Sequence, residues 1–123
     1  YHMLKNIVAL FLFFLLIVSC GKDTSSYTDK VDCTGIDADQ NTYTKNIKAI
    51  VDGSCAYSGC HDSKTAAEGI NLSTYANTKS EFVSGDALCT IYHDCTPMPQ
   101  GTDQLDQETL DQLTCWVKNG APQ

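Results

Sequence analysis

The chain has 123 residues, 42% of them hydrophobic, and its eight basic residues, all lysine, face fifteen Asp and Glu for a net charge of -7. That acidity excludes nucleic-acid binding and electrostatic attachment to anionic lipid, both of which need a basic surface, and a charged protein partner would present a basic face. Seven cysteines in so short a chain point to an oxidising compartment, where disulfides persist.

Taken in order, Tyr1-His2 precede the first methionine and read as a tag remnant or an upstream extension. Lys5 then leads into twelve apolar residues, Ile7 to Val18, followed by Ser19-Cys20-Gly21. A positive charge, a short apolar run and a small residue are the three regions of a secretory signal, and the run is shorter than the roughly 20 residues a spanning helix needs. Ile17-Val18-Ser19-Cys20 resembles the lipobox of bacterial lipoproteins, which implies acylation of Cys20 and a membrane lipid anchor. An uncleaved anchor with an ordinary cysteine is the alternative. Gly21 lacks the aspartate associated in lipoproteins with inner-membrane retention, so the expected location is the outer membrane, on its periplasmic or cell-surface side.

Residues 21–41 are rich in Lys, Asp, Thr, Ser and Gly, a composition that buries too little surface to fold alone, and read as a polar tether. Cys33 within it predicts a staple to a folded body. That body, residues 42–123, has about 80 residues, a size at which a bare core is thin and a disulfide or cofactor is expected to reinforce it.

Helical periodicity begins with Tyr43, Ile47, Ile50 and Val51, with Thr42 or Thr44 as cap and Gly53 as the stop. This helix runs into Cys55-Ala56-Tyr57-Ser58-Gly59-Cys60-His61. Two thiols followed by an imidazole read as a c-type haem attachment site, with the cysteines joined to the vinyl groups and His61 as proximal iron ligand. The spacing is C-x4-C-H where the usual form is C-x-x-C-H, so the loop to Cys55 must bulge, which Ser58 and Gly59 allow. The alternatives are a Cys55 to Cys60 disulfide beside an exposed His61, and a zinc site drawn from Cys55, Cys60, His61 and His93.

A second helix is expected over about 74–83, after Leu72 and a Ser73 cap, with Tyr75, Phe82 and Val83 apolar and Gly85 past its end. A short third helix follows Asp86 and carries Leu88, Ile91 and Tyr92. Pro97 and Pro99 then stiffen an extended loop around Met98. A neutral thioether held by prolines suits a distal iron ligand; Met98 as core filler and His93 as distal ligand are the alternatives. The last helix has Asp106 as cap, a Leu105–Leu110 staple, Glu108 in its first turn, and Lys118, Gly120 and Pro122 at its end. Leu110, Leu113 and Val117 share one face, and Cys115 lies about 140° around from Leu110 at about 100° per residue.

With Cys20 acylated and Cys55 and Cys60 on haem, four cysteines remain, and four can pair in three ways. The outward direction of Cys115 favours Cys33–Cys115, and the short intervening loop favours Cys89–Cys95; three disulfides and no haem would satisfy the same count.

These pieces together resemble the small monohaem cytochrome c domains of exported bacterial lipoproteins, of the Bacteroidetes and planctomycete type. The marks are Tyr43-Thr44-Lys45-Asn46-Ile47-Lys48-Ala49-Ile50, Gly59-Cys60-His61, Gly69-Ile70-Asn71-Leu72 with Tyr75, Met98-Pro99, and Trp116 to Pro122. The resemblance implies an all-α, class I cytochrome c-like domain around one covalent haem c per chain, with His61 and Met98 as axial ligands. Tyr57, Leu72, Tyr75, Phe82, Leu88, Ile91 and Trp116 are candidates for the haem wall, though such residues are core by default. No catalytic triad order, phosphate loop or calcium loop is present, so catalysis in its own right is not expected. The expected function is a membrane-anchored single-electron carrier serving redox partner proteins; the alternative is a haem-free, disulfide-stapled lipoprotein acting as a structural or binding module.

Overall fold

A computed structural model describes residues 23–123; the signal segment and Cys20 lie outside the described residues. The described secondary structure is entirely helical. In chain order it comprises α1 (Ser25–Thr28), a π-helical turn (Tyr43–Ile47) that continues as α2 (Lys48–Ser54), a 3-10 turn (Ala67–Gly69), α3 (Tyr75–Val83), α4 (Asp86–Ile91) and α5 (Gln107–Lys118). No described helix is long and apolar enough to cross a membrane.

The sequence signals account for most of these boundaries. Asp106 caps α5 by accepting from the Thr109 N–H at 2.8 Å, and the cap of α3 is Thr74, one residue past Ser73, which accepts from the Asn77 N–H at 3.3 Å. Gly85, at φ +89°, is the left-handed residue that lets α4 start one residue later. The first helix differs from the expected one. It opens as a π turn with Ile47 N–H bonded to the Thr42 carbonyl at 3.2 Å, which buries both Tyr43 and Ile47, and Gly53 lies inside α2.

The core is formed by Tyr43, Ile47 and Val51 from the first helix, Leu72, Phe82 from α3, Leu88 and Ile91 from α4, and Leu110, Leu113, Trp116 and Val117 from α5. Phe82 stands edge-on to Trp116 with centroids 5.9 Å apart, and Tyr43 lies 6.3 Å from the same indole. The C-terminal segment closes this core: the carbonyl of Pro122 accepts from the Trp116 indole N–H at 2.8 Å and the Tyr43 backbone N–H at 2.9 Å.

The segment read as a tether packs on this body. Tyr27 stacks on Tyr92 with centroids 5.0 Å apart, Thr24 donates to the Val83 carbonyl at 2.9 Å, and buried Asn41 donates to the Gln112 carbonyl at 2.8 Å. Cys33 is bonded to Cys115 and Cys89 to Cys95, the pairings expected from helix direction and loop length. With Cys33 and its neighbours covering the outer side of α5, Cys115 and Thr114 are buried as completely as Leu113 on the inner face.

Candidate functional site

The loop after α2 returns to its own start. Cys60 N–H donates to the Tyr57 carbonyl and His61 N–H to the Cys55 carbonyl, both at 3.1 Å, and Ala67 N–H donates to the Cys60 carbonyl at 2.9 Å. Gly59, at φ +92°, makes the turn that this path requires. His61 is then held twice by the strand-like stretch before α3. Its carbonyl accepts from Leu72 N–H at 2.8 Å, and its Nδ1 donates to the Ile70 carbonyl at 3.1 Å. Because a carbonyl accepts only, this bond places the proton on Nδ1 and leaves Nε2 as an acceptor.

On the other side stand α4 and the proline loop. The Cys89–Cys95 disulfide closes the turn out of α4, and Met98 N–H donates to the Thr90 carbonyl at 3.1 Å. The staple therefore fastens the loop carrying Met98 to the helix carrying Ile91. The peptide between Met98 and Pro99 is cis.

Between these walls lies a cavity of about 300 Å³. Cys55, Tyr57, Cys60, His61, Leu72 and Met98 all line it, together with Phe82 and Ile91. The structure thus gathers eight of the eleven candidate residues named from sequence. Tyr75 and Trp116 belong elsewhere: Tyr75 donates its hydroxyl to the Ala121 carbonyl at 2.8 Å, and Trp116 is fully buried in the core. Leu88 is likewise fully buried in the core. Ile70 and Ala87 also line the cavity, though neither was among the wall candidates; Ala87 takes the inward position beside Leu88, whose side chain turns into the core. Comparison with protein-family models, characterised proteins and solved structures found no match.

The single-electron-carrier reading, with His61 and Met98 as axial ligands, is corrected. Among the described residues no three His, Cys, Asp or Glu side chains gather into a group able to hold a metal ion, and the reinforcement assigned to a covalent haem is supplied by the two disulfides. Burial, and after it the neighbouring Cys60, push the Cys55 thiol up to about 11. The zinc alternative falls on the same observation, since His93 is not among the cavity's lining residues. His93 lies in the disulfide-closed turn at φ +61° and does not line the cavity, so it does not stand as a distal ligand there. What remains is a largely apolar chamber whose lining also carries His61, the carboxylates of Glu68, Glu81 and Asp86, one thioether and two free thiols.

Proposed function

We propose that the chain is a haem-free, disulfide-stapled exported lipoprotein that acts as a binding module, anchored through Cys20 at the outer membrane. Its ligand is a small, largely apolar molecule carrying one hydrogen-bond donor. The observation that carries this reading is the staple itself: Cys89–Cys95 builds a wall of the cavity by tying the Met98 loop to α4. A volume of about 300 Å³ is at the small end of ligand pockets, which are mostly apolar with a few placed polar groups. Leu72, Phe82 and Ile91 supply the apolar contact, and the acceptor Nε2 of His61 orients the donor. The lipid anchor and the outer-membrane location rest on the signal and lipobox residues, and a cytochrome c-like arrangement of the helices rests on the sequence marks alone.

The test uses p-cresol, an apolar ring with a single hydroxyl donor, titrated into the full mature chain while amide and methyl resonances are followed. Saturable shifts confined to the cavity residues, weakened about tenfold in His61→Ala and abolished in Ile91→Trp, which fills the chamber, are the expected result; a tenfold loss corresponds to about 1.4 kcal/mol, the size of one hydrogen bond. Shifts absent from the cavity, or a purified mature chain whose mass includes one covalent haem, would overturn the proposal.

A further inference from the structure

Among the described residues Cys55 and Cys60 are the cysteines outside the two disulfides, and they share the wall of one cavity. The backbone between them is already closed by the His61 to Cys55 hydrogen bond at 3.1 Å. A bonded pair in the same molecule has nearly this frame. In Cys89–Cys95 the second cysteine's N–H donates to the first one's carbonyl, also at 3.1 Å, and the Cα atoms lie 5.3 Å apart, within the range a disulfide requires. The Cys55 loop is one residue shorter, and the bond to Cys55 is made by the residue directly after Cys60. The two thiols also feel each other electrostatically, as Cys60 contributes to the raised Cys55 value.

We propose that Cys55 and Cys60 form a reversible dithiol–disulfide couple on the cavity wall, oxidised by exchange with a disulfide-bearing reagent. The two thiols have different roles. Both are half-buried, but desolvation raises the Cys55 thiol, whereas Cys60 lies against the exposed Tyr57. Cys60, as thiolate, attacks one sulfur of R–S–S–R, forming Cys60–S–S–R and releasing RS⁻, which takes a proton to become RSH. Cys55 then loses its proton and attacks the Cys60 sulfur, forming Cys55–S–S–Cys60 and expelling the second RS⁻, again protonated. Two protein thiols are oxidised and one disulfide is reduced to two thiols. The couple does not depend on what the cavity binds.

The experiment equilibrates the full mature chain, with both staples intact, in oxidised or reduced glutathione, blocks free thiols with iodoacetamide, and maps peptides without reduction. In reduced glutathione Cys55 and Cys60 should carry the label; in oxidised glutathione they should lose it and appear as one linked peptide, with Cys33–Cys115 and Cys89–Cys95 unchanged. Cys55→Ser should trap a lasting Cys60–glutathione adduct, and Cys60→Ser should form its adduct about tenfold more slowly or worse, because the remaining thiol is protonated. Cysteines that stay fully labelled at equilibrium in oxidised glutathione, or that are found in thioether linkage to a bound group, would overturn the couple. The wild-type map decides the matter even if neither variant folds.

Discussion

Phe82 is 1% exposed, meets Trp116 edge-on and also forms part of the cavity wall. Replacing it by Ala removes packing on both sides, and Phe82→Ala should lose about 3–5 kcal/mol in urea unfolding and bind p-cresol with altered affinity. A loss under about 1 kcal/mol would show that the wall collapses into the space. Thr78 tests a different force. Its hydroxyl, fully buried, donates to the Leu72 carbonyl at 3.0 Å, so Thr78→Val should cost about 1–3 kcal/mol by leaving that carbonyl without its partner. An unchanged midpoint in Thr78→Val would mean that the carbonyl finds another donor. Both residues were readable only in part: Phe82 stood out as a bulky apolar side chain, whereas nothing in the sequence around Thr78 reveals that a helix interior hydroxyl reaches back six residues to hold Leu72 at the cavity.

At the scale of elements, α5 is the best specified, because Asp106, Glu108, Lys118 and Gly120 all obey end rules that depend on local geometry alone. The Thr109 N–H and hydroxyl hold the Asp106 carboxyl below the ordinary aspartate range. A depressed folded-state pKa means that the stabilisation is fully present above the unfolded value of about 3.9 and is lost as pH falls through the folded one. Thermal melts from pH 7 down to pH 2 should therefore show a steeper acid loss for the wild type than for Asp106→Asn, which keeps an acceptor at the cap without a titrating charge; parallel curves would remove Asp106 from the acid response. The π opening at Tyr43–Ile47 could not be read from periodicity, since Tyr43, Ile47, Ile50 and Val51 also satisfy an α-helical stripe. Its register is chosen by the pocket around Trp116 into which Tyr43 packs, a non-local contact.

Across the whole molecule, the two disulfides close loops of very different length. Cys33 and Cys115 are 82 residues apart, and Cys89 and Cys95 only six. Loop-closure entropy predicts that Cys33→Ala with Cys115→Ala lowers the unfolding free energy by about 4 kcal/mol, and Cys89→Ala with Cys95→Ala by about 2 kcal/mol. Denaturant titration measures both. The reverse order would indicate that the short staple acts mainly through the native cavity wall. The long staple should also report on the N-terminal segment: without it, the amides from Thr24 to Asn41 should exchange faster, because the Tyr27–Tyr92 stack and a few single hydrogen bonds would be left to hold that segment.

The all-α class, the helix positions and the cysteine pairing follow from short-range rules: apolar spacing, capping residues, prolines that exclude helix, and the direction of Cys115 on its own helix. The helix rules are properties of neighbouring residues, so the sequence by itself determined them, whereas the Cys33–Cys115 bond, across 82 residues, also needed the packing of the N-terminal segment on α5. Which apolar residues line the cavity, and what that cavity is suited to do, was decided only by the tertiary structure. Tyr75 and Trp116 have the same aromatic character as a pocket wall but face the C-terminal clamp and the core. His61, Met98, Cys55 and Cys60 come together around one chamber. Spacing along the chain could suggest that meeting. It could not tell whether the group holds a metal or leaves Cys55 a free thiol that desolvation raises, because burial and partner geometry are set by segments up to some forty residues apart in the chain.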